Sequence, residues 1–212
     1  MLFSQLQAIA GGMAEQFFKD RAIGELLTDS RKALASEEAL FFAIRGPHHD
    51  GNQYVKELYD KGVRQFVVED ETKEASTKLK EANILRVASA RECLQSLAIR
   101  HRQTVDPEVI GITGSNGKTI VKEWLFQLLS PEKKIVKNPG SYNSQIGVPL
   151  SIWQLKPYHQ LGIFEAGISR PGEMEKLARI IRPDIGIFTN IGSAHDEGFA
   201  SMEEKIVEKL KL

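Results

Sequence analysis

VIGITGSNGKTIVKEW, residues 109–124, joins a short apolar run to an amphipathic one across a turn that is half glycine. Val109, Ile110 and Ile112 have the β-rich apolar character of a buried parallel strand. After Lys118 the apolar residues Ile120, Val121, Trp124, Leu125, Leu128 and Leu129 recur at the spacing of one helical face. Gly114, Ser115, Asn116 and Gly117 lie between. Glycines permit a tight turn and a close backbone approach to a ligand. Such a turn aims its N–H groups and a helix N-terminus at one point, which is an anion site. Lys118 adds a positive charge there, and Thr119 a hydroxyl suited to Mg²⁺. The common pattern G-x-x-x-x-G-K-[ST] would place a glycine where Ile112 stands; this is the shorter T-G-x-N-G-K-T. A glycine-rich turn alone also serves a plain βα connection. Gly-Lys-Thr opening a helix straight after an apolar strand favours nucleotide binding, with Gly114, Ser115, Asn116, Gly117, Lys118 and Thr119 as the phosphate loop.

The whole chain bounds this reading. Its 212 residues suffice for two small domains or one large one, and 42% hydrophobic residues allow a real core. Lys+Arg and Asp+Glu are 28 each, so no basic excess invites nucleic acid or an anionic membrane. The single cysteine, Cys93, cannot form an internal disulfide and sits in a helical pattern, which reads as a buried or bystander thiol in a reducing cytoplasm. MLFSQLQAIAGGMAEQ lacks a charged leader and a long apolar core, so no signal peptide is expected. No run of about 18 apolar residues exists to span a bilayer.

Two α/β blocks are expected. The first, residues 1–104, opens with a helix-like LFSQLQAIA closed by Gly11-Gly12. It continues with strands at Leu40–Ile44, Gln65–Val68 and Ile84–Val87 and helices at Gln53–Lys61 and Ala90–Gln103. Asp106-Pro107 in HRQTVDPEV breaks the helical pattern and marks a domain boundary. The second block, 105–212, carries the phosphate loop. Its further strands are expected at Ile135–Val136, Leu161–Ala166 and Asp184–Asn190, and its helices at Lys118–Leu129, Gly172–Ile181 and Met202–Leu210. This βαβ order predicts a parallel sheet covered by helices. EEKIVEKLKL closes the chain as a helix without a terminator, and so few strands make an unfinished nucleotide-binding sheet.

Ligands of open parallel sheets bind beyond the carboxyl ends of the strands. Glu165 ends LGIFEA, where it serves either as a carboxylate for Mg²⁺ or as a strand-end residue reaching water. Asn190 ends the next strand, and His195 follows in the loop, as a ligand or as a surface histidine. NPGSYNSQIGVPLS reads as a loop in which Asn143 offers its amide to a phosphate or metal shell, or merely builds a turn.

TGSNGKT, SYNSQIGVPLS, EAGISRPGEME and TNIGSAHDEGF, in this order, resemble the ATP-binding part of the Mur ligases. These are ATP-dependent amide-bond ligases of cell-wall precursor synthesis. LLTDSRKALASEEALFFAIRGPHHDGNQYVKELYDKGVRQFVVE resembles the N-terminal uridine-nucleotide domain of the later ligases in that pathway, most of all the branch that joins D-alanyl-D-alanine to UDP-N-acetylmuramoyl-tripeptide. KNPGSYNSQIGVPLSIWQL and ISRPGEM further look like a subgroup fused to an alanine racemase, which would use pyridoxal phosphate. The resemblance implies a small UDP-sugar-binding α/β domain followed by a truncated P-loop ATP-binding domain. It implies ATP and Mg²⁺ as cofactors. Lys118 would hold the β- and γ-phosphates, with Thr119, Glu165 and His195 at the metal and Asn143 and Asn190 near the nucleotide. Asn143 matches the family's NN-x-IGVP element, although Ser144 stands for its second asparagine. The family's carbamylated lysine corresponds to Lys209, about fourteen residues beyond His195, with Lys205 and Lys211 close enough to leave the register open. Ser30 and Arg31 of DSR, and His49, Asp50 and Gly51 of HHDG, match segments lining the UDP-sugar site; a plain turn accounts equally well for Asp50-Gly51. Family members carry a longer central domain and a third domain. The chain therefore reads as the N-terminal part of a longer cytoplasmic enzyme, inactive alone. Two alternatives stand beside this reading. A switch GTPase would carry D-x-x-G and N-K-x-D, and neither string occurs. A non-catalytic fragment would bind UDP-sugar or nucleotide without turnover.

Overall fold

The computed structural model describes residues 1–32, 36–47, 49–69, 79–192 and 198–212, and the chain divides into two compact units, Met1–Leu97 and Ala98–Leu212.

In the first unit a 3₁₀ turn leads into helix α1 (Leu6–Ala10), followed by strands β1 (Met13–Gln16) and β2 (Glu25–Leu27). After them come β3 (Ala39–Phe42), the two-stranded hairpin β4 (Arg45–Gly46) and β5 (His49–Asp50), and helix α2 (Val55–Asp60). Strands β6 (Gln65–Glu69) and β7 (Asn83–Val87) complete its sheet, and helix α3 (Ala90–Arg102) begins in this unit and ends in the second. The sheet order is β1-β7-β6-β3-β2, with β1 antiparallel to β7 and the other pairs parallel. The apolar runs ALFF and QFVV form its centre, as buried parallel strands require. Phe41, Phe66, Ile84, Val55 and Leu58 share one core beneath α2. The edge strands β1 and β2 escape the sequence reading because an edge needs little apolar sequence.

The second unit runs β8 (Glu108–Thr113), α4 (Lys118–Leu129), β9 (Ile135–Lys137), α5 (Gly147–Ile152), β10 (Leu161–Glu165), α6 (Glu173–Ile181), β11 (Ile185–Phe188) and α7 (Met202–Lys209). Its four strands are all parallel, in the order β11-β8-β10-β9. Ile110, Ile112, Leu161 and Ile163 face α4, where Val121, Leu125 and Leu129 pack. Val109 and Phe164 face the other side, against Val148 and Ile152 of α5 and Leu177, Ile180 and Ile181 of α6. Two expectations change. Helix α5 occupies sequence read as a loop; its Pro149 sits in the first turn, where a missing N–H costs no helical bond. The apolar face of α4 is wider than the sheet needs, so Ile120, Trp124 and Leu128 remain exposed. Among the described residues no helix is long and apolar enough to cross a membrane.

Candidate functional site

Parallel register brings three strand ends together. Glu165 is level with Ile112, and Phe188 with Thr113, so β10 and β11 flank the loop that leaves β8. Gly114 has φ +141°, and a Cβ there would lie 2.0 Å from Thr189 Oγ1. Only glycine lets β11's extension close over the loop. Gly117 caps α4 in the left-handed conformation at φ 78°, with open space where its Cβ would stand. The loop is otherwise pinned from the 189–192 segment. Ser115 N–H donates to Asn190 O (2.9 Å) and Ser115 Oγ to Gly192 O (3.1 Å). Asn116 N–H donates to Asn190 Oδ1 (3.0 Å), and Thr189 Oγ1 donates to Asn116 O (2.6 Å). Asn190 thus braces the loop through its side chain.

Lys118 Nζ donates to Gly114 O (2.8 Å) and Ser115 O (3.3 Å). Burial lowers its pKa from the ordinary lysine value, opposed by the charge of Glu165 and aided by Lys205. Two more ammonium groups arrive from α7. Lys209 Nζ donates to Gly114 O (3.3 Å) and Lys205 Nζ to Gly192 O (2.6 Å), and both side chains are buried. Burial, then the charges of Lys118 and Lys205, push the Lys209 pKa down to about 8. Lys211 instead turns to Glu208 (2.6 Å), which raises its pKa. The three open lysine registers are therefore not equivalent in surroundings: Lys205 and Lys209 are buried, and Lys211 is exposed.

Glu165 does not reach water; it is fully buried. Its Oε2 accepts from Thr119 Oγ1 (3.1 Å) and Asn143 Nδ2 (3.2 Å). Its Oε1 lies 2.8 Å from Lys122 Nζ, yet no well-aligned hydrogen bond reaches that oxygen. The same ammonium donates to two carbonyls, Asn138 O and Gly140 O. Glu165, Thr119 and Asn143 form an oxygen-rich set around one buried carboxylate, which fits a hard divalent cation. Among the described residues no group of three or more His, Cys, Asp or Glu converges on one point. His195 lies outside the described residues. Lys122 and Asn138 were missed at the sequence level. The available signal was a lysine one turn beyond Lys118, on the same side of the helix.

The candidate sugar-nucleotide residues all lie in the first unit. Ser30 and Arg31 open a 3₁₀ turn, with Ser30 buried. Arg31 holds Asp29 through Nε (2.9 Å) and Nη2 (2.8 Å), bringing the Asp29 pKa down to about 2. His49 is exposed and stacks on Tyr54 at 5.4 Å. Asp50 accepts from Asn52 N–H (2.9 Å) and Arg45 Nη2 (3.3 Å), and the Asn52 bond leads the lowering of its pKa. Gly51 N–H donates to Ile44 O (3.0 Å), and a Cβ on Gly51 would meet the Ala43 backbone at 2.8 Å. Asp50 and Gly51 therefore do build a tight turn, whatever else they touch.

Comparison with known proteins agrees with this arrangement in both units. The profile described as Mur ligase family, catalytic domain, matches residues 23–102, and that of the Mur ligase middle domain matches 112–212. The UDP-N-acetylmuramoyl-tripeptide–D-alanyl-D-alanine ligase of Borreliella burgdorferi is 36% identical over 91% of this chain and 43% of its own. A crystal structure of MurF from Acinetobacter baumannii superposes with a TM-score of 0.84 at 28% identity, covering 98% of this chain and 45% of that one. MurF ligase from Thermotoga maritima in complex with ADP superposes with a TM-score of 0.77 at 30% identity, over 89% of this chain and 42% of that one. The chain spans under half the length of these relatives. Two profiles of one family, covering both units in order, and a glycine turn opening a helix beside a buried carboxylate lead to one conclusion: the chain belongs to the Mur ligase family.

Proposed function

We propose that this chain supplies the sugar-nucleotide unit and the phosphate-loop unit of an ATP-dependent ligase that joins D-alanyl-D-alanine to UDP-N-acetylmuramoyl-tripeptide in the cytoplasm. The observation that carries the reading is the buried Glu165 carboxylate, bonded to Thr119 at the first turn of α4 and paired with Lys122. In this reaction the terminal carboxylate of the UDP-linked peptide attacks the γ-phosphate of ATP, breaking its bond to the β-phosphate, so that ADP leaves and an acyl phosphate forms. The amine then displaces phosphate from the acyl phosphate. Two anions must meet in the first step, so charge neutralisation is the main task.

The residues divide that task. The N–H groups of 114–119 and the α4 N-terminus receive phosphate oxygens, and Lys118 exchanges its bonds to two loop carbonyls for bonds to phosphate. Thr119 and Glu165, with His195, would hold Mg²⁺, which when bound screens phosphate charge. Asn143 orients Glu165. Lys209, with its pKa near 8, is the best placed of the three candidates to carry a carbamate, because only a neutral amine adds CO₂. In the first unit Ser30, Arg31, His49, Asp50 and Gly51 are assigned to the UDP-sugar.

Two measurements test this. Titration calorimetry with ATP and Mg²⁺ should show binding that Lys118→Ala weakens at least tenfold with an unchanged circular dichroism spectrum. Removing one preorganised group of this kind costs on the order of 10²–10³ in rate in acting enzymes. Depleting the protein in its own host should accumulate UDP-N-acetylmuramoyl-tripeptide, read by mass spectrometry of the nucleotide pool. Accumulation of a different precursor would refute the assigned step.

A further inference from the structure

We propose that Lys122 is a positioning residue for the divalent cation: its ammonium fixes the Glu165 carboxylate by Oε1 so that Oε2, beside Thr119 and Asn143, is the oxygen presented to the metal. The inference rests on the reading of Glu165 as a metal carboxylate and adds a residue to it.

Lys122 stands one helical turn after Lys118, so both side chains leave α4 on the same side. They part from there. Lys118 bends to the phosphate loop, and Lys122 runs to the segment between β9 and α5. Its Nζ donates to Asn138 O (2.9 Å) and Gly140 O (2.5 Å) and lies 2.8 Å from Glu165 Oε1. Both charged side chains are fully buried. Asn138, also buried, completes the frame. Its Oδ1 accepts from Glu165 N–H (2.7 Å), and its Nδ2 donates to Tyr142 O (2.7 Å). The glutamate is thus held at its backbone by Asn138 and at one carboxylate oxygen by Lys122. The other oxygen faces the first turn of α4.

Stability alone does not account for this pair. Taking two charges out of water is costly, and apolar residues of similar volume commonly hold such contacts at least as well. What an apolar pair cannot do is set the rotation of a carboxylate. A buried glutamate without its counter-charge would turn its oxygens towards whichever donors lie nearest. With Lys122 in place the Oε2 direction is set before any ligand arrives, as supporting residues set metal-binding carboxylates elsewhere.

The test is Mn²⁺ binding to this chain in the presence of saturating ADP, followed by electron paramagnetic resonance. Wild type should bind, and Glu165→Gln should weaken Mn²⁺ at least tenfold. Lys122→Met and Lys122→Gln should each weaken it at least tenfold, while the affinity for ADP without metal stays within twofold. In the Glu165→Gln background, Lys122→Gln should weaken Mn²⁺ no further, because Lys122 acts through Glu165. If Lys122→Met loses the wild-type circular dichroism spectrum, Lys122→Gln, whose amide still reaches carbonyls, decides. Wild-type Mn²⁺ affinity in the Lys122 variants, alongside loss in Glu165→Gln, overturns the inference and spares the metal reading. Losses that add in the double variant overturn it too, since they indicate a general packing role. Wild-type affinity in Glu165→Gln overturns the metal reading and the inference with it.

Discussion

Thr119 Oγ1 donates to Glu165 Oε2 over 3.1 Å, so the first turn of α4 and the last residue of β10 hold one carboxylate oxygen between them. The parallel register of β10 with β8 makes this possible, because it sets Glu165 level with Ile112, just before the loop begins. A one-residue slip would turn Glu165 to the opposite face of the sheet.

Thr119→Val keeps the side-chain shape and removes the hydroxyl. Glu165 Oε2 would then keep Asn143 as its described donor. The affinity for ADP with Mg²⁺ should fall by about 10–100-fold, the usual effect of losing a metal ligand's partner. Thr119→Ser should stay near wild type. Equal binding by the valine variant, measured by calorimetry, would remove Thr119 from the site.

The strand, glycine turn and helix at 108–129 were legible because they are local: strand, glycine turn, lysine, threonine and helix follow one another in sequence. Glu165 was legible as a charge at the end of an apolar strand. Its partners were not. Lys122, Asn138 and Asn143 meet it only after β9 and β10 pair, and sequence spacing carries no register between strands. The bond from Asn116 N–H to Asn190 Oδ1 is equally invisible in the sequence, since it spans two strand ends. Helix α5 was hidden by turn-forming residues whose proline sits where a helix tolerates it.

Arg102 should prove a stability residue of the second unit. Its Nε, Nη1 and Nη2 donate to Ile181 O (3.0 Å), Val105 O (3.0 Å) and Arg182 O (3.2 Å). These include carbonyls at the end of α6, where Arg182 takes the left-handed conformation at φ 47°. Arg102→Met keeps the apolar stem and strands the carbonyls. The cost should be about 2–4 kcal/mol, given about 1.5–3 kcal/mol for a hydrogen bond to a charged group and partial relaxation. Urea denaturation reads it; a loss below about 0.5 kcal/mol, the level of an ordinary surface change, would contradict the brace.

Gly51→Ala tests the turn against the ligand. The added Cβ would press on the Ala43 and Ile44 backbone at 2.8 Å, which must shift. A destabilisation of about 1–3 kcal/mol is expected from such overpacking. His49→Ala, at an exposed side chain, should leave stability unchanged and weaken binding of UDP-N-acetylmuramoyl-tripeptide. Unchanged binding in His49→Ala would remove that residue from the sugar-nucleotide site.

The lysine register can be settled by its acid–base chemistry. With a pKa of about 8, Lys209 is half neutral near pH 8. An ordinary lysine, titrating about 2.5 units higher, is neutral in only ~1 molecule in 300 at that pH. A carbamate forms from the neutral amine, so its yield should climb as pH rises towards 8. The sign for stability follows from proton counting. The folded chain holds fewer protons on Lys209 than the unfolded chain between about pH 8 and 10.5, so this residue's contribution to stability rises with pH through that window. Incubation with ¹³C-bicarbonate at pH 8 should give a carbamate carbon resonance. Lys209→Arg should abolish it, since a guanidinium stays protonated, whereas Lys205→Arg and Lys211→Arg should keep it. Lys205 is the sharper control, because it is as buried as Lys209 on the same helix. A resonance that survives Lys209→Arg and vanishes in Lys205→Arg would move the modified lysine one helical turn towards the N-terminus of α7. It would also mean that Lys118 and Lys205 do not hold Lys209 in its neutral form.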